Sequence, residues 1–227
     1  MVTRPTLTER DHAEVSAAIA AAEAGTSGEI VTLVAPCSDP YRDVAALYAA
    51  ATMLIVPALL ALLPQGLIDW ASGLVLGWNL DWERGLLMLA ILLLQLIAFG
   101  LVRAILLHRP LLVALTPGGV KARRVRARAI AHFRAACEGR TAGRTGILIY
   151  LSLLERRAEI VADEAIVSKV SGDAWGEAMA AMVDEVREGR VGHGMALAVE
   201  KVGAVLAAHL PRAADDINEL PDRLIEL

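Results

Sequence analysis

Along this chain the apolar positions fall into three regimes. The first is helical: Val15, Ala18, Ile19 and Ala22 recur at i, i+3, i+4 and i+7, one face of a helix. Thr8 and Asp11 have the spacing of a capping box ahead of it, Leu7 sits as a staple, and Gly25 is placed to end it. Glu29–Ala35 (EIVTLVA) then reads as a strand, rich in β-branched residues and stopped by Pro36. In the second regime periodicity disappears. Val44–Leu63 and Gly85–Leu107 are apolar almost throughout. At a rise of about 1.5 Å per residue they reach roughly 30 and 35 Å, the thickness of a bilayer's hydrocarbon core. They predict a transmembrane helical hairpin.

The third regime is that of a folded domain. Pro110–Gly119 is a connector. A helix is predicted over Lys121–Glu138, with Val125, Ala129, Ile130, Phe133 and Cys137 as its apolar stripe and Gly139 as its stop. Gly146–Leu153 (GILIYLSL) has the unbroken apolar character of a strand buried on both faces. Leu154–Arg157 turns the chain and Ala158–Asp163 returns as a second strand. Asp173–Glu188 is a helix with Trp175, Met179, Met182 and Val186 on one face, and Gly189 ends it. A last helix covers Gly192–Leu210, and Pro211–Leu227 is a polar tail with little structure of its own. One helix and one strand cannot bury a core alone. Residues 1–43 and 108–210 are therefore expected to form one α/β domain, a small sheet sandwiched by helices, with the hairpin of residues 44–107 inserted after the first strand.

Composition agrees with a membrane protein: 56% of residues are hydrophobic and mean hydropathy is +0.51. Removing the hairpin leaves about 160 residues, enough for one core. A net charge of −4 argues against nucleic acid as a partner. Cys37 and Cys137 form neither a disulfide framework nor a metal-ligand spacing, and read as small apolar residues. The opening MVTRPTLTERDH has no apolar core and reads as no secretory signal.

Lys and Arg set the orientation. Arg42 precedes the first span, and Arg103, Arg109, Lys121, Arg123, Arg124, Arg126 and Arg128 follow the second. Between the spans Arg84 stands against Asp69, Asp81 and Glu83. Both termini should thus face the cytoplasm at the plasma (inner) membrane. Trp70, Trp78 and Trp82 suit the outer interface belt, and Gly66–Trp78 is placed to lie along that surface. Within the spans, Pro57 should bend the first helix, and Ala45/Ala49 and Ala46/Ala50 are small-residue steps that let a second helix approach. Gln95 is either an interhelical hydrogen bond or a mark of a solute path. Two helices enclose no pore, so the second reading requires oligomers.

The acidic candidates for chemistry are Glu155, Asp163 and Glu164. Glu155 and Asp163 stand at opposite ends of the returning strand, roughly 20 Å apart, too far to share an ion. Asp163 and Glu164 with Asp39 are the candidate site for Ca²⁺ or Mg²⁺, which need several oxygen ligands. The competing reading makes them loop and helix-cap carboxylates. No nucleophile elbow, phosphate-cradling loop or His-Glu-x-x-His motif is present. His12, His108, His132, His193 and His209 are scattered without ligand spacing. The basic run Lys121, Arg123, Arg124, Arg126 and Arg128 suits anionic headgroups at a membrane surface, or a solvated face obeying the positive-inside bias.

The run from Gly146 to Asp163 (GILIYLSLLERRAEIVAD) resembles the TPM domain, or TPM phosphatase, family: a buried strand, an acidic-Arg turn, a short strand and a loop. Thr26-Ser27-Gly28-Glu29-Ile30 resembles the family's first strand. Arg187-Glu188-Gly189-Arg190 before the last helix and the tail Asn218-Glu219-Leu220-Pro221-Asp222 are similar to those of membrane-anchored bacterial members. The resemblance skips residues 40–120. The loop after the second strand, glycine-bearing in the family, reads Ala162-Asp163-Glu164-Ala165 here, and alanine resists φ > 0. The resemblance implies a TPM-like fold and, for some members, phosphatase activity. The expected function is a non-catalytic interaction or assembly module held at the membrane by the hairpin, with an unknown membrane or cytoplasmic protein as partner. The alternatives are a metal-dependent phosphatase of the TPM family and an oligomeric transport component.

Overall fold

The computed structural model describes residues 7–76, 84–138, 141, 143–213 and 217–227. The chain forms two compact units, Met1–Asp39 with Pro117–Leu227, and Pro40–Thr116.

The first unit is built on a four-stranded mixed sheet. β1 (Glu29–Ala35) and β2 (Gly146–Ser152) are buried at every position, as the unbroken apolar run predicts for β2. They pair in parallel from Glu29↔Gly146 to Ala35↔Ser152. β3 (Arg157–Ala162) returns antiparallel beside β2, and β4 (Leu224–Glu226) lies parallel to β1, giving the order β3-β2-β1-β4. Side chains alternate across the sheet. Ile30, Val34, Ile147, Ile149 and Leu151 pack with α1 (Glu9–Glu23), α8 (Gly176–Arg187) and α9 (Val191–His209). Val31, Leu33, Leu148 and Tyr150 pack on the other face with Val125, Ala129 and Phe133 of α6 (Gly118–Ala136) and with Cys137, which caps its end. Both halves of the split domain contribute to one α/β sandwich.

The helix ends follow the sequence closely. The Thr8 hydroxyl accepts from the Asp11 N–H at 3.2 Å and the Asp11 carboxylate accepts from the Thr8 N–H at 2.7 Å, a complete capping box. α1 stops at Ala24, one residue before the expected Gly25. A short helix α7 (Glu164–Val167) follows β3, and a 3-10 turn (Gly172–Trp175) precedes α8. Gly189 ends α8 at φ +86 as expected, while the proposed stop at Gly139 lies outside the described residues. The polar tail is not structureless: it supplies β4, and Thr26 bridges Pro211. Its strand is three residues long and formed by pairing with β1, so no local pattern announces it.

α1 and α9 touch through glycine. A Cβ on Gly203 would lie 2.5 Å from the Ala22 Cβ and 3.2 Å from its Cα. Gly203→Ala should therefore destabilise the domain by about 1 kcal/mol, overpacking outweighing the gain in helix propensity. Gly176→Ala, at a site open to solvent, should be neutral or slightly stabilising; chemical denaturation of both variants measures the contrast.

The second unit comprises α2 (Arg42–Leu62), α3 (Gln65–Leu76), α4 (Arg84–Ile105) and α5 (Arg109–Leu115). α3 falls where a surface-lying segment was expected; Trp78 and Trp82 lie outside the described residues. α5 replaces the expected connector because Pro110 sits in its first turn, where a missing N–H is harmless. α2 and α4 are long and apolar enough to cross a membrane, and pack against each other. Their outward residues are exposed, with Leu54 at 76%, Leu62 at 82% and Ile97 at 66%. α9 also meets the length and composition criterion, but its greater part is buried in the α/β core.

Gln95 has a specific place in this unit. Its Nε2 donates to the Met53 carbonyl at 2.7 Å. Met53 stands four residues before Pro57, so that carbonyl is the one the proline deprives of its helical N–H partner. A side chain on α4 supplies the donor that α2 lacks.

Candidate functional site

In sheets with parallel strands, polar chemistry gathers at the carboxyl ends. Here β1 ends at Ala35 beside Ser152 of β2, and the loop Pro36–Asp39 leaves the sheet three residues before α2 begins at Arg42. Ser38, within this loop, is buried against Tyr150, Ser152 and Glu155. The Ser38 hydroxyl lies 3.0 Å from the Tyr150 hydroxyl and donates to the Ser152 hydroxyl at 2.9 Å. Ser152 in turn donates to Glu155 Oε2 at 2.5 Å, and the Ser38 N–H donates to Glu155 Oε1 at 2.9 Å. Because Ser38 gives its proton to Ser152, the Tyr150 hydroxyl is the donor at its head. Each hydroxyl thus donates once, and the chain terminates on a carboxylate.

Two arginines, one turn apart on α6, close the arrangement from above. Arg124 Nη1 meets Asp39 Oδ1 at 2.6 Å, and Arg128 Nε donates to the Ser38 carbonyl at 3.0 Å. The Cys37 thiol donates to the Asp39 carbonyl at 3.0 Å and reaches Glu155 Oε1 at 3.5 Å. Arg156, beside Glu155, takes the left-handed conformation at φ 50 to turn the chain into β3. The His132 ring stacks on Tyr150 with centroids 5.9 Å apart. Burial, with Arg128 nearby, lowers its pKa and keeps it neutral at pH 7. Burial pushes the Tyr150 hydroxyl up, opposed by its hydrogen bond to Ser38, so it stays protonated as the chain of donors requires.

The proposed cation site is not assembled. Asp163 lies at the opposite end of the sheet, where its N–H donates to the Gly146 carbonyl at 2.9 Å and its Oδ2 accepts from the Gly146 N–H at 3.2 Å. Asp39 stands four residues beyond Ala35, so a seven-residue strand, roughly 20 Å, separates it from Asp163 and the exposed Glu164. Asp39 is engaged by Arg124. Asp163 is raised chiefly by burial and holds β2 to α7. Among the described residues no group of three His, Cys, Asp or Glu side chains is placed to hold a metal ion. The donor set offered for Ca²⁺ or Mg²⁺ does not fit one ion.

The basic run is likewise largely committed within the domain. Besides Arg124 and Arg128, Arg126 meets Glu159 of β3 at 3.3 Å. Lys121 is engaged as well, and Arg123 points to solvent. Glu155 and Asp39 were singled out from sequence, but Ser38, Tyr150 and Ser152 were not. Their signal was faint: Ser152 is a lone hydroxyl on an otherwise apolar buried strand.

No family model matches the chain, and no curated protein matches it. One solved structure is similar, the NMR structure of the BA42 protein from the psychrophilic bacterium Bizionia argentinensis. It is 18% identical, with a TM-score of 0.56 over 100% of this chain and 99% of that one. That likeness is one of fold.

Proposed function

We propose that this protein is a membrane-tethered, non-catalytic interaction or assembly module, with a TPM-like domain on the cytoplasmic side of a bacterial inner membrane and α2 and α4 as its anchor. The carrying observation is that the polar groups at the carboxyl ends of β1 and β2 satisfy one another. Tyr150, Ser38 and Ser152 end on Glu155, and Arg124 neutralises Asp39. Chemistry needs a group held in readiness for substrate; this network instead pins the loop from which the chain departs for α2. Apolar helices of membrane length with exposed leucines support the anchor, and the Lys and Arg flanking them support cytoplasmic termini.

Two assays test the reading. Cross-linking in native membranes from the solvent face of α6, at Arg123→Cys, should capture a defined protein neighbour. No neighbour in cross-linked membranes contradicts the module. The second assay is phosphate release by purified protein from a generic phosphomonoester with Mg²⁺, Ca²⁺ or Mn²⁺. We expect no turnover above that of the Asp163→Asn/Glu164→Gln variant. Metal-dependent turnover abolished in that variant would replace the module with a TPM-type phosphatase.

A further inference from the structure

A second polar cluster lies at the amino end of β1, away from the network above. Glu23, the last residue of α1, is only 8% exposed. Its Oε1 accepts from the Ile30 N–H at 2.7 Å, while its Oε2 is buried and makes no hydrogen bond. Glu29 opens β1, and its Oε2 accepts from the Leu220 N–H at 3.1 Å. Asp222 follows in the tail and accepts from Asn218 at 2.7 Å. Carboxyl groups from α1, β1 and the tail therefore meet where the chain folds back to form β4.

The charged groups acting on Glu23 are Asp222 from the tail and Glu29 from β1. α9 packs on this end of α1 through Gly203 against Ala22 and adds no charge there. A buried carboxylate with one orphaned oxygen beside two like charges is costly. A proton on that oxygen removes the charge and can be donated to the Asp222 carboxylate beside it. We propose that the C-terminal segment 217–227 is a proton-held clasp: protonated Glu23 lets the tail lie against β1, and ionised Glu23 favours its release.

The direction follows from the titration. Burial first, reinforced by Asp222 and Glu29 and opposed by the Ile30 N–H, pushes the Glu23 carboxyl up to about 8. With the tail released, Glu23 loses Asp222, and its pKa falls back toward the ordinary value of 4.5. Between those values the clasped form holds a proton that the open form lacks. The clasp is at full strength below pH 4.5, loosens about tenfold per pH unit as pH rises toward 8, and changes no further above it. Release uncovers the backbone of Thr32–Val34 on the β1 edge, which β4 otherwise covers.

Hydrogen exchange of the full-length protein in detergent, corrected for intrinsic exchange rates, reads the clasp directly. The reporters are the amides of Leu220 and Leu227, the latter donating to the Val34 carbonyl at 3.1 Å. In the wild type, protection should fall about tenfold per pH unit from pH 6 to 8 and level off by pH 9. Glu23→Gln keeps the acceptor for Ile30 and adds a permanent donor, so its profile should be flat. Asp222→Asn removes one like charge, so its decline should end at lower pH, which keeps the test decisive if Glu23→Gln folds poorly. His12 Nε2 also meets Glu226 Oε1 at 2.7 Å at the far end of the strap. A slope that survives Glu23→Gln, as one carried by His12 would, overturns the proposal, as does a flat wild-type profile.

Discussion

Glu155→Ala should cost the α/β domain about 3 kcal/mol, because it strips the acceptor from a buried N–H and a buried hydroxyl at once. Glu155 is 6% exposed and receives the Ser38 N–H on one oxygen and the Ser152 hydroxyl on the other. Water does not replace it readily, since Ser38 and Ser152 are themselves buried. Glu155→Gln keeps one carbonyl oxygen but turns an amide N–H₂ toward a second donor, so its loss should be roughly half as large. Ser152→Ala breaks the chain between Ser38 and Glu155. The double variant Glu155→Ala/Ser152→Ala should lose less than the sum of its parts, because both remove the same interaction. Denaturant titration followed by near-ultraviolet circular dichroism measures all four proteins. A Glu155→Ala loss below about 1 kcal/mol would mean that the network does not hold the loop.

Gln95→Leu should destabilise the helical hairpin by about 2 kcal/mol, the upper range for interhelical hydrogen bonds in a membrane. The reason is positional. Pro57 cannot offer an N–H to the Met53 carbonyl, and Gln95 Nε2 does so at 2.7 Å. In an apolar solvent an orphaned carbonyl has no other partner. The same logic gives a control that simple packing does not: Pro57→Leu restores the backbone donor, so Gln95→Leu should become nearly neutral in that background. Unfolding in mixed micelles with increasing dodecyl sulfate reads both. Equal losses with and without Pro57 would leave Gln95 as a packing residue only. Activity of any kind that depends on Gln95 independently of Pro57 would instead favour the solute-path reading.

Where local pattern decides structure, the sequence was legible. EIVTLVA became β1 with the same bounds, and GILIYLS became a strand buried throughout because it is central in the sheet. Thr8 and Asp11 formed the expected capping box because its geometry is set within four residues. Pro110 misled because proline breaks a helix in its interior yet suits its first turn. β4 was invisible because three residues carry no periodicity, and their strand conformation comes from β1. The polar network was hidden for a similar reason. Ser38 and Ser152 lie 114 positions apart in sequence, with the hairpin between them, and only the parallel register of β1 and β2 brings them together. Asp39, Asp163 and Glu164 looked like a site because strand ends are interchangeable in a sequence; the register puts them at opposite ends of the sheet.

The proposed membrane anchor requires that α2 and α4 cross a bilayer and return the chain to the side from which it left. Cysteine labelling in intact cells tests it most directly. Asp69 is exposed on α3, between the two spans, and the native Cys37 lies in the α/β domain. An Asp69→Cys variant should react with a membrane-impermeant maleimide in intact cells. The unaltered protein, through Cys37, should react only after permeabilisation. Labelling of both before permeabilisation, or release of the unlabelled protein from membranes by alkaline carbonate, would contradict a cytoplasmic domain anchored by a hairpin.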